Sequence, residues 1–206
     1  MATRGRPRQF DRIDALDKAL VLFWERGYEN TSMSDLSNAM ELRPPSIYAA
    51  FGSKEALFEE VVERYSEVYG GAIWGDLERF KHPRDATRHI LIATVNAFCD
   101  ETTPKGCLIV LAAPQTESSQ SNVTQTLCTH RQKNVETLKH LYEEGLRRDH
   151  IPRGANINVM ANYYATVQHG MSIQARDGMN RAALTAVAEA AMATWPTLIK
   201  TSLSSS

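Results

Sequence analysis

The chain has 206 residues, enough to bury a substantial core as one large domain or as a small domain joined to a larger one. Its 43% hydrophobic and 23% charged residues match an ordinary globular protein and exclude a largely disordered or fibrous chain. A formal net charge of -1 excludes coating of nucleic acid by bulk electrostatics, so any such contact must be focused on local basic patches.

Residues 1–10 form a basic arm, Arg4-Gly5-Arg6-Pro7-Arg8, whose glycine and proline discourage helix. From Asp11 the pattern changes. Ile13, Leu16, Leu20 and Phe23 recur at three- and four-residue steps with polar residues opposite, which predicts an amphipathic helix ended by Gly27. Thr31 or Ser32 is a good N-cap for a short second helix carrying Met33, Leu36 and Met40. A third helix starts at Arg43-Pro44-Pro45-Ser46, because proline is tolerated in a first turn, where its missing N–H has no partner anyway. Ser53 then caps a longer fourth helix through Leu57, Phe58, Val61, Val62 and Tyr65, ending near Gly70-Gly71 or continuing with a break towards Phe80.

Beyond His82-Pro83 the chain reads as helix upon helix: about 85–99, a short apolar segment 107–113, a long one 121–148, then 155–174 and 181–199. No stretch alternates as hairpin strands do, so the fold class is all-α. The spacing assigns residues 11–56 to a three-helix unit, with a helix-turn-helix at about 32–51. Residues 57–200 form a larger helical bundle and 201–206 a tail.

Other chemistries find little support. No apolar run approaches the roughly 20 residues that span a bilayer, and Met1-Ala2-Thr3-Arg4 does not open a signal peptide, so a cytoplasmic protein without membrane contact is expected. Cys99, Cys107 and Cys128 are too few and too far apart for a disulfide framework or a metal knot. The six histidines lack tight ligand spacing, so neither a metal nor another cofactor is expected. No glycine loop for phosphate and no nucleophile with its base is evident, which leaves a catalytic residue unassigned and an enzyme, such as a thiol-dependent one using Cys107, as the weaker class.

Two short helices joined by a tight turn and backed by a third are the arrangement that places a recognition helix in the DNA major groove. Plain helix packing, as in a protein-binding adaptor, gives the same pattern. The residues discriminate. Gly27-Tyr28-Glu29-Asn30-Thr31-Ser32-Met33-Ser34-Asp35-Leu36, followed by Pro45-Ser46-Ile47-Tyr48-Ala49-Ala50-Phe51-Gly52-Ser53-Lys54-Glu55-Ala56-Leu57-Phe58, resembles the signature of the TetR/AcrR family of transcriptional regulators.

That resemblance implies an operator-binding homodimer, usually a repressor, released by a small-molecule effector. It also implies phosphate contacts from Thr31 or Ser32, a recognition helix opening at Arg43, Pro44, Pro45 and Ser46, backbone contact by Tyr48, and a phosphate held by Lys54. Arg43 is the candidate base reader, since a guanidinium can bond bidentately to guanine; a solvated surface arginine is the alternative. Arg4, Arg6 and Arg8 resemble arms that enter a minor groove, with a solubilising tail as the alternative. Many family members carry glycine where Glu41 stands, so a left-handed turn there is strained and brings a carboxylate near phosphate.

In the family the larger domain encloses a ligand pocket and dimerises through its last two helices. Those fall here on 155–174 and 181–199, the latter carrying Ala183, Leu184, Val187, Ala190, Ala191 and Trp195. Candidate pocket residues are Trp74, Phe98, Cys107, Tyr142, Tyr163, Tyr164, Gln168 and Met171, adaptable apolar groups with a few directional donors. Cys107 heads an apolar helix, where the helix dipole would favour its thiolate, so a redox- or electrophile-sensing regulator is an alternative reading.

Overall fold

The computed structural model describes residues 10–112 and 122–200. They form helices α1 (Arg12–Arg26), α2 (Met33–Met40), α3 (Pro44–Phe51), α4 (Lys54–Tyr65), α5 (Gly71–Trp74), α6 (Pro83–Phe98), α7 (Leu108–Leu111), α8 (Asn122–Arg147), α9 (Ile157–Arg176), α10 (Arg181–Ala193) and α11 (Trp195–Leu198). No strand occurs among the described residues. The arm bearing Arg4, Arg6 and Arg8 and the tail 201–206 lie outside them.

Asp11 caps α1 by accepting from the Ile13 and Asp14 N–H groups. The helix buries Leu16, Ala19, Leu20 and Phe23, and Phe23 meets Phe58 of α4 edge-to-face at 5.1 Å. Burying one such phenyl ring contributes about 1.5 to 3 kcal/mol. Ile13, expected on this face, is instead 49% exposed. It stands in the first turn, where the facing surface of α4 is lined by Glu59, Glu60 and Glu63 and supplies little apolar cover.

Gly27 ends α1 at φ 78°, and a Cβ there would stand 2.9 Å from the Ala112 carbonyl oxygen. That close approach lets the Tyr28 N–H donate to the same oxygen at 2.6 Å, tying the end of α1 to α7. The division expected at residue 56 falls inside α4, so one continuous helix serves both the helix-turn-helix and the bundle.

After Tyr65 the helix does not stop at its glycines. It widens into a π-helical turn, Ser66–Gly70, and tightens again into α5 before a 3-10 turn at Leu77–Arg79. The last long segment is likewise interrupted at Thr194, because Pro196 can neither donate an N–H nor accommodate the preceding turn. Around α9 the bundle closes with α6, α8 and α10.

Candidate DNA interface and effector cavity

Ser32 opens α2 with a reciprocal cap: its hydroxyl accepts from the Asp35 N–H while the Asp35 carboxylate accepts from the Ser32 N–H. Leu36 and Met40 from α2, and Ile47 and Phe51 from α3, are buried against the support helices. The outer face is thereby left to Arg43, Pro44, Pro45, Ser46 and Tyr48, all exposed. Pro44 and Pro45 occupy the first turn of α3, and Arg43 is its N-cap residue without a side-chain cap bond. Glu41 adopts the left-handed conformation, φ 56° and ψ 34°, that the turn requires. Its carboxylate accepts from Lys18 Nζ at 3.3 Å.

The two hydroxyls expected at phosphate separate. Thr31 is fully buried and its Oγ1 donates to the Gly27 carbonyl at 2.7 Å, so it builds the turn after α1; Ser32 alone is exposed. Lys54, expected to hold a phosphate, is folded inward. Its ammonium donates to the Tyr28 carbonyl at 2.8 Å and lies 4.1 Å from the centre of the Tyr28 ring. Burial holds its pKa below the ordinary lysine value.

The other cations of this half are paired: Arg12 with Glu60 at 2.6 Å, Lys18 with Asp14 and Glu41, Arg26 with Asp35 at 3.2 Å. Among the described residues up to Lys54, Arg43 is the cation without a protein partner.

In the bundle a cavity of about 320 Å³ lies between α4, the π-helical turn, α5, α6, α8 and α9. Four of the eight pocket candidates line it: Trp74, Phe98, Cys107 and Gln168. Gln168 is 2% exposed, and its amide donates to Thr94 Oγ1 at 3.3 Å. Among the described residues no bond to its carbonyl oxygen occurs, so that oxygen is an acceptor available to a guest.

Tyr65, Ser66, Ile109, His130 and Asn134 complete most of the wall. Tyr65 reads in the sequence as plain helix core and His130 as one more unclustered histidine, and nothing in their spacing marks either. His130 lies 3.3 Å from both Ser66 Oγ and Glu63 Oε1. Burial pulls its pKa below the usual imidazole value against the opposing pull of Glu63.

The other four candidates face elsewhere. Tyr142 is fully buried, its hydroxyl 3.0 Å from Thr87 Oγ1, and its ring meets Trp195. Tyr163 and Tyr164 stack on each other edge-to-face, and Tyr164 donates to the Ala191 carbonyl at 3.4 Å. Met171 is core. Helical rotation turns these residues away from the cavity and into the packing between helices.

Cys107 lines the cavity but does not have the surroundings of a sensor thiolate. It is the N-cap residue of a helix of only four residues, and burial pushes its thiol up, the reverse of a dipole-stabilised thiolate.

On the surface of the last two long helices, Val159 and Ile173 of α9 and Val187 of α10 are 39 to 48% exposed large apolar residues. Ala183 and Ala190 stand exposed beside Val187. Leu184, Ala191 and Trp195, read in the sequence as part of the same contact face, are instead buried within the chain.

A two-helix reading head with a buried inner face, carried on a helical bundle that encloses a cavity, defines a helix-turn-helix transcriptional regulator. The profile of the bacterial regulatory proteins of the tetR family matches residues 15–61. The chain is 33% identical over 199 residues to the HTH-type transcriptional repressor ComR of Escherichia coli K12, spanning 96% of this chain and 95% of ComR. It is 26% identical over 174 residues to the HTH-type transcriptional repressor BdcR of the same organism, spanning 84% of this chain and 83% of BdcR.

Among solved structures, a cysteine mutant of the TetR family transcriptional regulator CifR, complexed with 26-bp operator DNA, is 39% identical with a TM-score of 0.88, covering 93% of this chain and all of that one. FadR of Bacillus subtilis, at 12% identity and a TM-score of 0.71, shares the fold, covering 92% of this chain and 98% of that one. The chain belongs to the TetR family of transcriptional regulators. No helix among the described residues is long and apolar enough to cross a membrane.

Proposed function

We propose that this regulator is a cytoplasmic homodimeric repressor that binds a palindromic operator through α2 and α3 and is released when a small effector occupies the bundle cavity. One observation carries the reading: α3 buries Ile47 and Phe51 while presenting Arg43, Pro44, Pro45, Ser46 and Tyr48 together on an exposed face. In this reading Arg43 contacts a base edge, Ser32, Ser46 and Tyr48 contact the phosphate backbone, and Pro44 and Pro45 offer only shape and apolar contact to thymine methyls. Arg4, Arg6 and Arg8 supply a minor-groove arm. Lys54 serves chiefly to hold Tyr28 and the start of α4 in place.

Repression is supported by ComR and BdcR, both transcriptional repressors, and operator binding by the CifR complex. Dimerisation uses the exposed faces of α9 and α10, where Ala183 and Ala190 allow close approach around Val187. The two recognition helices then stand about 34 to 36 Å apart, one turn of DNA. The effector is small and mixed in character, since Phe98, Trp74 and Ile109 give an apolar wall to a cavity whose directional groups are Gln168, Asn134, Ser66 and His130.

The reading is tested by titrating the protein against DNA from its own upstream region at two salt concentrations with unrelated duplex as competitor. Competitor-resistant, salt-sensitive binding is the expected result. Binding no better than to competitor, with no palindrome from a random-duplex selection, would return the protein to an adaptor role.

A thiol-sensing regulator is the second reading, favoured by the place of Cys107 on the cavity wall. Against it stands the burial that suppresses its thiolate. We expect Cys107 to alkylate more slowly at pH 7 than Cys99 and Cys128, both of which are partly exposed. Mass-spectrometric labelling kinetics measure this, and a Cys107 rate well above the other two would favour sensing.

A further inference from the structure

We propose that Trp24 and Arg176 are positioning residues that couple the cavity wall at Tyr65 and Cys107, through the loop at Lys105 and Gly106, to the helix-turn-helix, so that cavity and operator each sense the other through this strut. The inference rests on the reading of α2 and α3 as the operator surface and of the cavity as the effector site.

Trp24 closes the last turns of α1 and is 3% exposed. Its indole Nε1 donates to the Gly106 carbonyl at 3.0 Å, one residue before Cys107 on the cavity wall. Its ring meets Tyr65 edge-to-face at 4.8 Å, and Tyr65 lines the same cavity. One side chain of the DNA-binding half therefore touches a wall residue of the cavity and the residue before another.

Arg176 completes the connection from the end of α9. Its Nε donates to the Lys105 carbonyl at 2.8 Å, its Nη2 to the Trp24 carbonyl at 2.8 Å, and its Nη1 to the Glu25 carbonyl at 3.0 Å. The two α1 carbonyls lie in the last turn, where helical partners are lacking, and the guanidinium fork satisfies them together. Backbone carbonyls thus take up all three nitrogens of its guanidinium.

The loop between these anchors cannot shift freely. Gly106 has φ 78°, and a Cβ would stand 2.6 Å from the Ser172 carbonyl oxygen. The next N–H, that of Cys107, donates to Ser172 Oγ at 2.8 Å. The loop is thus wedged between α9 on one side and Trp24 on the other. A guest that displaces Cys107 or Tyr65 must strain the bonds to Trp24 and Arg176, and α1 carries α2 on its opposite flank. By linkage, operator binding must act on the loop in return.

The test is hydrogen exchange followed by mass spectrometry on the full-length protein, with and without an operator duplex obtained from the titration above. In the wild type we expect the operator to slow exchange across residues 33–51 and, by about fivefold or more, across 105–111. In Trp24→Phe with Arg176→Met, protection at 33–51 should persist while the operator-dependent change at 105–111 falls below about twofold.

A purely structural role would raise exchange at 105–111 equally with and without DNA and leave the operator-dependent change intact, which overturns the proposal. So does a wild type protected at 33–51 but unchanged at 105–111. If no duplex protects 33–51, the operator-surface reading itself falls and takes the coupling with it. Should the double variant not fold, Trp24→Phe alone, which removes only the indole donor and keeps the ring, decides between the same outcomes.

Discussion

Replacing Arg43 by alanine should cost about 1 to 3 kcal/mol of operator affinity and flatten the preference at one base position in each half-site. The expectation follows from its surroundings. Arg43 is exposed at the N-cap of α3 and, among the described residues, donates to no carboxylate and makes no cap bond, so its guanidinium is free to reach a base edge at little cost. Lysine at the same place should recover part of the affinity but not the base preference, because an ammonium lacks the planar two-donor fork. Titrations against the operator and single-base variants measure both. If Arg43→Ala binds every variant as the wild type does, recognition rests on other groups, and shape reading by Pro44 and Pro45 would become the leading account.

Deleting residues 1–8 should produce the largest change in salt dependence. Arg12, Lys18 and Arg26 already have carboxylate partners, and Lys54 is turned onto Tyr28, so the described part of the DNA-binding half offers phosphates little uncommitted charge. Arg4, Arg6 and Arg8 carry the remainder. Each arginine that neutralises a phosphate contributes roughly 0.9 to the slope of log affinity against log salt, so a dimer losing both arms should show a visibly flatter slope and weaker binding at low salt. Base preference at the Arg43 position should be unaffected. A truncated protein with an unchanged slope would show that the arm does not reach the DNA.

Much of the architecture was legible because it is written in local periodicity. Leu16, Leu20 and Phe23 repeat at helical steps and are buried as expected, and Asp11, Ser32 and Ser53 cap the helices that follow them. Local rules failed where burial depends on a distant neighbour. Ile13 has the right spacing for the core but meets the acidic flank of α4. Thr31 and Ser32 are adjacent and chemically alike, yet the first is sealed into the turn after α1 and the second stays at the surface. At Gly70 and Gly71, where the sequence left open a stop or a break, a π-helical turn passes into α5.

The candidate sites divide along the same line. The sequence by itself determined the all-helical class, the family signature and the exposed opening of α3, since these depend on residue type and short-range spacing. Only the tertiary structure decided which four of the eight pocket candidates meet at the cavity, that Tyr65 and His130 join them, and that Lys54 is held by Tyr28. It also decided between a thiolate and a buried thiol at Cys107, because desolvation by surrounding helices outweighs the dipole of a single short turn. Periodicity records which face of a helix is apolar; which helix covers that face, and what space remains between them, is set by contacts between residues far apart in the chain.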